Sequence, residues 1–256
     1  MNDAALDVLA IAAHRDDAEQ TCGGTLLKMT QQDRRTGILD LTRGEMGTRG
    51  TAEDRAREAA EAARILQVSF RQALDIPDGR VENTWENRLK IAQVIRRRRP
   101  RVVILPYWQG RHPDHYNCST LGYEACFLAG LTRLQFPEQE KANLVDDPGE
   151  SEWLNRPHRP FKIVYATLYY DIRPTFVVDI TEQFEARLES IYAYKSQYSD
   201  QEAGRADFPA HAEIRERVTT LARFYGMLAG VKYAEPFLQK EVGLVDDLTL
   251  IPVKSI

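Results

Sequence analysis

The sequence predicts an α/β fold in which a Rossmann-like, mostly parallel sheet is flanked by helices. Short apolar runs recur along the chain, and segments of helical periodicity separate them. Strands that alternate with helices in this way form parallel sheets with right-handed crossovers. A chain of 256 residues is long enough for one large domain of this class or for two small ones. We expect a single domain over 1–256, with a Rossmann-like core over about 1–135 and with strands and helices over about 161–256 that complete the cleft.

The N-terminal half predicts four strands and four helices. The strands are expected at 6–13, 36–41, 73–76 and 101–106, where the sequence is mostly apolar. The helices are expected at 18–32, 51–66, 85–99 and 116–133. Gly23 and Gly24 interrupt the first helix, which indicates a close backbone approach there. Arg96 to Arg99 end the third helix, and we interpret them as a solvated helix end because cations favour a helix C-terminus.

The C-terminal half continues the alternation after an interruption. Residues 136–160 are rich in Pro, Asp, Glu and Asn, which indicates an exposed insertion. Strands are expected at 161–170 and 175–180, and helices at 181–196 and 212–230. The glycine-rich polar segment 42–51, which follows the second strand, has the composition of a functional loop.

Composition excludes several classes of partner. The net charge of −4 and the pI near 5.8 argue against nucleic acid. No apolar stretch reaches the roughly 18 residues that a membrane-spanning helix needs, and 1–13 do not have the pattern of a signal peptide. The three cysteines, Cys22, Cys118 and Cys126, form no CxxC pair, so we expect reduced thiols and a cytoplasmic protein. We expect neither a nucleic-acid nor a membrane partner, and a homo-oligomer is left open.

Two tetrapeptides contain the candidate metal-binding and catalytic residues. His14-Arg15-Asp16-Asp17 follows the first predicted strand, and His112-Pro113-Asp114-His115 follows the fourth. Ligands bind at the carboxyl ends of the strands in open parallel sheets, so both motifs are expected at one edge. His14, Asp17 and His115 then supply two nitrogens and one carboxylate oxygen, which is the ligand set of a catalytic zinc site. Iron, cobalt and manganese accept the same ligands, so the sequence does not fix the metal.

The remaining residues of the two motifs are suited to general acid–base catalysis. Adjacent side chains in an extended segment point to opposite sides, so Asp17 can bind a metal while Asp16 faces the attacking water as a general base. Asp114 can hold the ring of His112 and keep it protonated, and an imidazolium there would stabilise an oxyanion. The alternatives are ordinary: a lone His-x-x-His is more often a capped turn, and Asp17 could cap the following helix.

Charged residues near the motifs indicate an anionic substrate. Arg43 and Arg49 lie in the glycine-rich loop with Glu45, and Arg111 directly precedes the second motif. Arginine binds carboxylates through two parallel hydrogen bonds, so these side chains are candidates for substrate binding. The alternative is that the arginines form salt bridges with Glu45 and Asp114.

At these residues the chain resembles the PIG-L superfamily of zinc-dependent N-acetylglucosamine deacetylases. The family's first motif, Ala-His-Pro-Asp-Asp-x-Glu, stands here as 13–19 with Arg15 in place of proline, and its second motif, His-Pro-Asp-His, is intact at 112–115. Further matching segments at 41–45, 47–51, 127–131 and 230–237 are similar to the branch that acts in bacillithiol biosynthesis.

The resemblance implies a full set of roles. Zinc would bind His14, Asp17 and His115, Asp16 would be the general base, and His112 with Asp114 would polarise the oxyanion. The implied substrate is N-acetylglucosaminyl malate, hydrolysed to glucosaminyl malate and acetate, and its malate would account for the arginines. The loss of the motif proline removes a residue that would stiffen the turn, and Arg15 could add an anion contact.

Two alternatives stay open at this point. One is a deacetylase or amidase of another amino-sugar or thiol conjugate, such as a mycothiol-type precursor. The other is a non-catalytic sugar-binding or nucleotide-binding module. The first strand lacks a following GxGxxG, which argues against dinucleotide binding.

Overall fold

The computed structural model describes residues 5–136, 153–167, 171–198 and 211–253. The seven strands of its sheet are β1 Val8–Ala12, β2 Thr36–Asp40, β3 Phe70–Ala73, β4 Val102–Pro106, β5 Lys162–Ala166, β6 Phe176–Asp179 and β7 Ala234–Leu238. Its helices are α1 Asp17–Gln31, α2 Ala52–Ile65, α3 Trp85–Arg98, α4 Pro113–Ala129, α5 Phe184–Tyr192, α6 Lys195–Tyr198 and α7 His211–Ala229. A short 3-10 helix, Leu248–Leu250, follows the last strand.

The sheet confirms the predicted α/β class. Its strand order is β3-β2-β1-β4-β5-β7-β6, and the first five strands are parallel. β7 is antiparallel to both β5 and β6. The alternation along β1 shows how the sequence builds two layers: Leu9 and Ile11 pack toward α3 and α4, while Val8 and Ala10 pack toward α1.

β7 has no counterpart among the strands predicted from the sequence. Glu235 and Pro236 lie inside it, and both residue types are rare in a central strand. The register resolves the conflict, because β7 pairs with β5 only at Phe237 and Leu238, beyond the proline. Burial of the whole 234–237 stretch compensates for the poor local propensity.

Three other boundaries differ from the predictions. The third strand lies at Phe70–Ala73 rather than at 73–76, because Leu74 and Ile76 are core side chains of the loop that follows it. The predicted helix at 181–196 divides into α5 and α6. The strand expected at 161–170 ends at Ala166, and 168–170 lie outside the described residues. The single-domain boundary over 1–256 stays a prediction.

The cysteines agree with the prediction of reduced thiols. Cys22, Cys118 and Cys126 are all buried and unpaired. Within the described ranges, no helix combines the length and the apolar character that crossing a bilayer requires.

The prediction of a solvated helix end is wrong for Arg96. Its side chain is fully buried (0% exposed), and its guanidinium donates hydrogen bonds to four backbone carbonyls. These belong to Ala129, Leu131, Leu134 and Leu154, at 2.5 to 3.3 Å. In the expected exposed insertion, Phe136 and Leu154 are buried, whereas 155–157 and Arg159 are exposed as predicted, and 137–152 lie outside the described residues.

We expect Arg96→Met to lower the free energy of unfolding by about 3 kcal/mol, because buried carbonyls would lose their donors. Urea unfolding followed by circular dichroism measures the change. Arg101→Met is the matched control, since Arg101 is exposed and should change stability by less than about 0.5 kcal/mol. Equal effects of the two substitutions would contradict the structural role of Arg96.

Candidate metal centre and active site

The pairing of β1 with β4 brings the two motifs together. These strands are adjacent and parallel, with Val8 opposite Val102, so the turns that follow them leave the sheet at one edge. The imidazole centroids of the site lie 4.7 Å apart for His14 and His112, 5.3 Å for His14 and His115, and 4.9 Å for His112 and His115. The expectation of a shared edge is therefore confirmed.

The second motif opens α4. His112 is the N-cap residue, and its Nδ1 accepts a hydrogen bond from the backbone N–H of Asp114 at 3.2 Å. Pro113 occupies the first helical turn, where a missing N–H costs nothing. The helix therefore begins three residues earlier than predicted and presents His115 from its first turn.

The first motif is a tight turn rather than an extended segment. Asp16 has φ 101°, in the left-handed region that few non-glycine residues adopt, and Asp17 is the first residue of α1. The backbone N–H of His14 donates to the Asp17 carboxylate at 2.9 Å, so Asp17 does not serve as a helix cap. The two carboxylates point in different directions, as predicted, but the cause is this turn and not an extended backbone. The turn directs Asp17 to the imidazoles and Asp16 to Tyr198.

Asp17 lies between the two predicted histidine ligands. Its Oδ2 is 3.4 Å from Nδ1 of His14, and its Oδ1 is 3.2 Å from Nε2 of His115. Ligand atoms at 2.0–2.1 Å from a tetrahedral zinc would be about 3.3 Å apart. Each of the two pairs thus has the spacing of metal ligands, and the two contacts use different oxygens of Asp17. Nitrogens of His14, His112 and His115 also lie within 4.8 Å of one another, so His112 is close enough to complete the same centre.

Two further carboxylates contact the far side of His14. Its Nε2 is 3.1 Å from Asp78 and 3.3 Å from Asp114. Asp114 also accepts hydrogen bonds from the backbone N–H groups of Gly79 and Val81. The expectation that Asp114 holds the ring of His112 is therefore corrected: its carboxylate orients His14, as a carboxylate behind a metal-binding histidine does.

The charges of this cluster favour a cation. Burial alone would lower the pKa of His14, but its hydrogen bonds to Asp114, Asp17 and Asp78 outweigh burial and raise it to about 12. Burial would raise the pKa of Asp17, but the charge and hydrogen bond of His115 hold it well below its usual value. Three carboxylates thus surround one imidazole, and the donor set fits a divalent metal ion.

Asp16 lies in a different environment. It is buried, its Oδ2 accepts a hydrogen bond from the Tyr198 hydroxyl at 2.7 Å, and its Oδ1 is 3.3 Å from the Arg55 guanidinium. Burial raises the pKa of Asp16 to about 7, with Arg55 lowering it and Asp17 raising it. A carboxylate with this pKa is suited to accept and return a proton near neutral pH.

His112 differs from the expected imidazolium. Burial, together with the positive charges of His14 and His115, lowers the pKa of His112. Its Nδ1 is an acceptor, so the neutral ring carries its proton on Nε2. His112 can still donate a hydrogen bond from that nitrogen.

A cleft reaches the cluster from the sheet edge. Its cavity volume is about 30 Å³, and Asp17 and His115 lie in its wall. Its other walls are mainly small or apolar side chains from the ends of β1, β4 and β5 and the start of α1, including Ala12, Ala18 and Pro106.

The predicted substrate-binding residues are dispersed. Arg111 is exposed next to His112, and Arg43 is exposed in the glycine-rich loop. Glu45 accepts hydrogen bonds from the backbone N–H groups of Arg43 and Asp78, so it ties the loop to Asp78. Arg49 lines a separate surface groove. Their roles toward a substrate stay predictions. Arg15 donates to the carbonyl of Ala52 and thus ties the motif to the start of α2.

Three residues of the site were missed from the sequence. Asp78 lies in a Pro-Asp-Gly turn after the third strand, and the strand-end rule that found His14 could have found it. The spacing of Tyr198 favours packing rather than chemistry, and Arg55 belongs to no motif. Their contacts with Asp16 join segments 39 and 182 residues apart, which no local pattern reveals.

The fold and site define an α/β protein with a histidine and aspartate cluster, suited to a divalent metal, at the carboxyl edge of its sheet. Residues 9–126 match the family described as PIG-L, GlcNAc-PI de-N-acetylase. The chain is 32% identical over 241 residues to the diacetylchitobiose deacetylase of Thermococcus kodakarensis, covering 89% of this chain and 80% of that protein. The chain therefore belongs to the PIG-L family, and it is a deacetylase of the PIG-L type.

Solved structures agree with this assignment. The conserved protein TT1542 of Thermus thermophilus is 37% identical, with a TM-score of 0.78, over 94% of this chain and 98% of that one. The N,N'-diacetylchitobiose deacetylase of Pyrococcus horikoshii, complexed with its inhibitor MPG, is 26% identical, with a TM-score of 0.74, over 90% of this chain and 82% of that one. Family deacetylases are metal-dependent, which agrees with the donor set found here.

We expect His115→Ala to reduce bound metal sharply, because the set of His14, Asp17 and His115 would lose one of its two imidazoles. Metal content per chain, measured by elemental mass spectrometry after zinc loading and gel filtration, tests this. His158→Ala is the control, since His158 contacts the carbonyl of Pro100 at the opposite edge of the sheet. Full occupancy in His115→Ala would rule out His115 as a ligand.

Proposed function

We propose that this chain is a zinc-dependent N-deacetylase that removes the acetyl group from an N-acetylglucosamine unit of a small glycoside. The observation that carries the proposal is the turn at Asp16 and Asp17. It places one carboxylate between two imidazoles at ligand spacing and the next carboxylate in a buried pocket that raises its pKa.

His14, Asp17 and His115 would hold the metal. When bound, a divalent metal ion supplies Lewis acidity, which lowers the pKa of water and polarises a carbonyl. Two neutral imidazoles and one carboxylate are typical of catalytic zinc, although Fe²⁺ accepts the same ligands. Asp114 and Asp78 orient His14 from behind.

Asp16 is the proposed general base and acid. In amide hydrolysis water adds to the carbonyl carbon and the C–N bond breaks. Asp16 takes a proton from the attacking water and returns it to the departing amine. The Tyr198 hydroxyl and the Arg55 guanidinium fix the carboxylate, so its orientation does not have to be found in each cycle.

His112 is the proposed donor to the oxyanion. Since the backbone N–H of Asp114 fixes the ring through Nδ1, the Nε2–H is directed by the N-cap geometry of α4. A preorganised donor of this kind stabilises charge that develops on the carbonyl oxygen.

The cleft supports a small acyl group. Its wall combines Asp17 and His115 with small apolar side chains such as Ala12 and Ala18. An acetyl methyl is apolar and small, so it fits such walls better than a charged or hydroxylated group does. We therefore propose that the acetyl group enters this cleft and that the sugar remains at its mouth.

Two substrates fit the proposal. The relatives from T. kodakarensis and P. horikoshii are diacetylchitobiose deacetylases, which favours a neutral disaccharide. The finer proposal, N-acetylglucosaminyl malate in bacillithiol biosynthesis, rests on the arginines, of which Arg111 adjoins the imidazoles. In both cases the partner is a small amino-sugar conjugate.

We expect Asp16→Asn to keep the metal and to lower kcat roughly 10²- to 10⁴-fold, because the amide cannot exchange protons. Acetate release from diacetylchitobiose and metal content are measured on the same preparation. Asp75→Asn is the control, since Asp75 pairs with Lys90 on the surface. Activity near that of the wild type would show that another group is the base.

We expect Arg111→Ala to lower kcat/KM for the malate conjugate by about one to two decades and to change it little for diacetylchitobiose. The reason is that one charge-assisted hydrogen bond would be lost only with the anionic substrate.

Arg49→Ala, which alters the separate groove, is the comparison. Equal losses on both substrates in Arg111→Ala would show that Arg111 supports the site rather than binding malate. Turnover of diacetylchitobiose alone by the wild type would reject the malate conjugate as substrate.

A further inference from the structure

Two adjacent glycines in the middle of α1 mark a close contact that the catalytic roles do not explain. A Cβ atom on Gly24 would lie 2.9 Å from Cδ1 of Ile180 and 3.0 Å from Oε1 of Glu235. Real Cβ atoms essentially never come within 3.0 Å of a neighbouring heavy atom, so a side chain at this position would require Ile180 or Glu235 to shift. Gly23 is less confined, with Arg187 Cγ 3.5 Å from its ideal Cβ.

The side chain that approaches Gly24 is an entirely buried carboxylate. Glu235 of β7 is 0% exposed. Its two oxygens accept hydrogen bonds from the backbone N–H groups of Gly24 at 2.9 Å and Thr25 at 2.7 Å. In a regular helix these N–H groups would donate to carbonyls four residues earlier.

A buried arginine contacts the preceding turn. Arg187 of α5 lies 3.0 Å from Glu235 and is also buried. Its guanidinium donates to the carbonyl of Glu19 at 3.2 Å and to the carbonyl of Gln20. Within this ion pair, Arg187 therefore binds carbonyl groups of the first turn of α1, and Glu235 binds N–H groups of the next turn.

The ion pair contacts the backbone of α1 over 19–25, directly after Asp17. Side chains that enter the hydrogen-bond ladder of a helix are a recognised cause of a change in helix direction. The turn N-terminal to the insertion begins with Asp17 and is preceded by Asp16 in its left-handed conformation. A buried ion pair can often be replaced as a whole by apolar side chains without loss of stability, so stability alone does not account for Arg187 and Glu235.

We infer that Arg187 and Glu235 are positioning residues for the reaction, which set the first turn of α1 so that Asp17 meets the imidazoles and Asp16 meets the Tyr198 hydroxyl. The inference rests on the proposed function, because it takes Asp17 as a metal ligand. The pair acts through the backbone of 19–25 and touches neither metal nor substrate.

The test removes the pair without leaving a buried charge. In Arg187→Met/Glu235→Leu both side chains become apolar with similar length, so the fold is retained while α1 loses its inserted partners. Glu235→Gln and Gly24→Ala perturb the same contact by different means. Each purified protein is titrated with zinc against a chromophoric chelator, and KM and kcat are measured with diacetylchitobiose.

We expect zinc affinity to fall at least about tenfold in the apolar pair, the effect typical of groups that orient metal ligands. We expect kcat to fall with it while KM stays within about twofold, because the sugar does not contact the pair. Ile91→Ala is the control: Ile91 is a fully buried residue of α3, so its truncation destabilises the core without touching α1. Its zinc affinity should equal that of the wild type.

Wild-type zinc affinity in the apolar pair would overturn the inference while leaving the proposed function intact. Equal losses in the apolar pair and in Ile91→Ala would overturn it too, because general instability would then account for both. A wild type that neither binds zinc nor releases acetate would overturn the proposed function, and this inference with it.

Discussion

The start of α1 separates two charge environments, and the site depends on that separation. On the side of Asp16, three carboxylates (Asp16, Glu19 and Asp40) are buried among three guanidinium groups (Arg15, Arg55 and Arg71). On the side of Asp17, the carboxylates of Asp17, Asp78 and Asp114 form their ion pairs with imidazoles and accept further hydrogen bonds from backbone N–H groups. On the first side, the negative charges of the carboxylates are neutralised by the protein's own guanidinium groups. On the second side, the carboxylates need a cation to neutralise them. Asp16, which has a left-handed backbone conformation, is the boundary between them.

The side of Asp16 also explains how a buried carboxylate stays available for proton transfer. Arg71 bonds both oxygens of Asp40 and one oxygen of Glu19, and Tyr194 donates to that same oxygen of Glu19. These carboxylates are therefore committed to their partners. Asp16 receives only a tyrosine hydroxyl and a longer contact from Arg55. Burial is the main reason that the pKa of Asp16 is raised to about 7, and Arg55 and the Tyr198 hydrogen bond offset it only in part; burial also raises the pKa of Asp40 despite its contacts with Arg71.

The parts predictable from sequence are those whose signal is local. Apolar runs located β1, β2 and β4, and the rule for strand ends placed His14, Asp17 and His115 at one edge before any contact was known. β7 could not be predicted, because the burial that offsets Pro236 comes from neighbours far along the chain. The same holds for Arg96, whose four carbonyl partners lie 33 to 58 residues away. The role of Asp114 was misassigned because adjacency to His112 in sequence suggested a partner that the N-cap turn excludes.

The Arg96 contacts affect where residues can be inserted into or deleted from this chain. One guanidinium holds the carbonyls of 129–134 and of Leu154 together, so the two ends of the intervening segment meet at a fixed anchor on α3. The entropic cost of closing a loop grows only logarithmically with its length. Residues can therefore be gained or lost between these ends without transmitting a shift along α4 to His115. The anchor separates the segment between these ends from α4, the helix that carries His115.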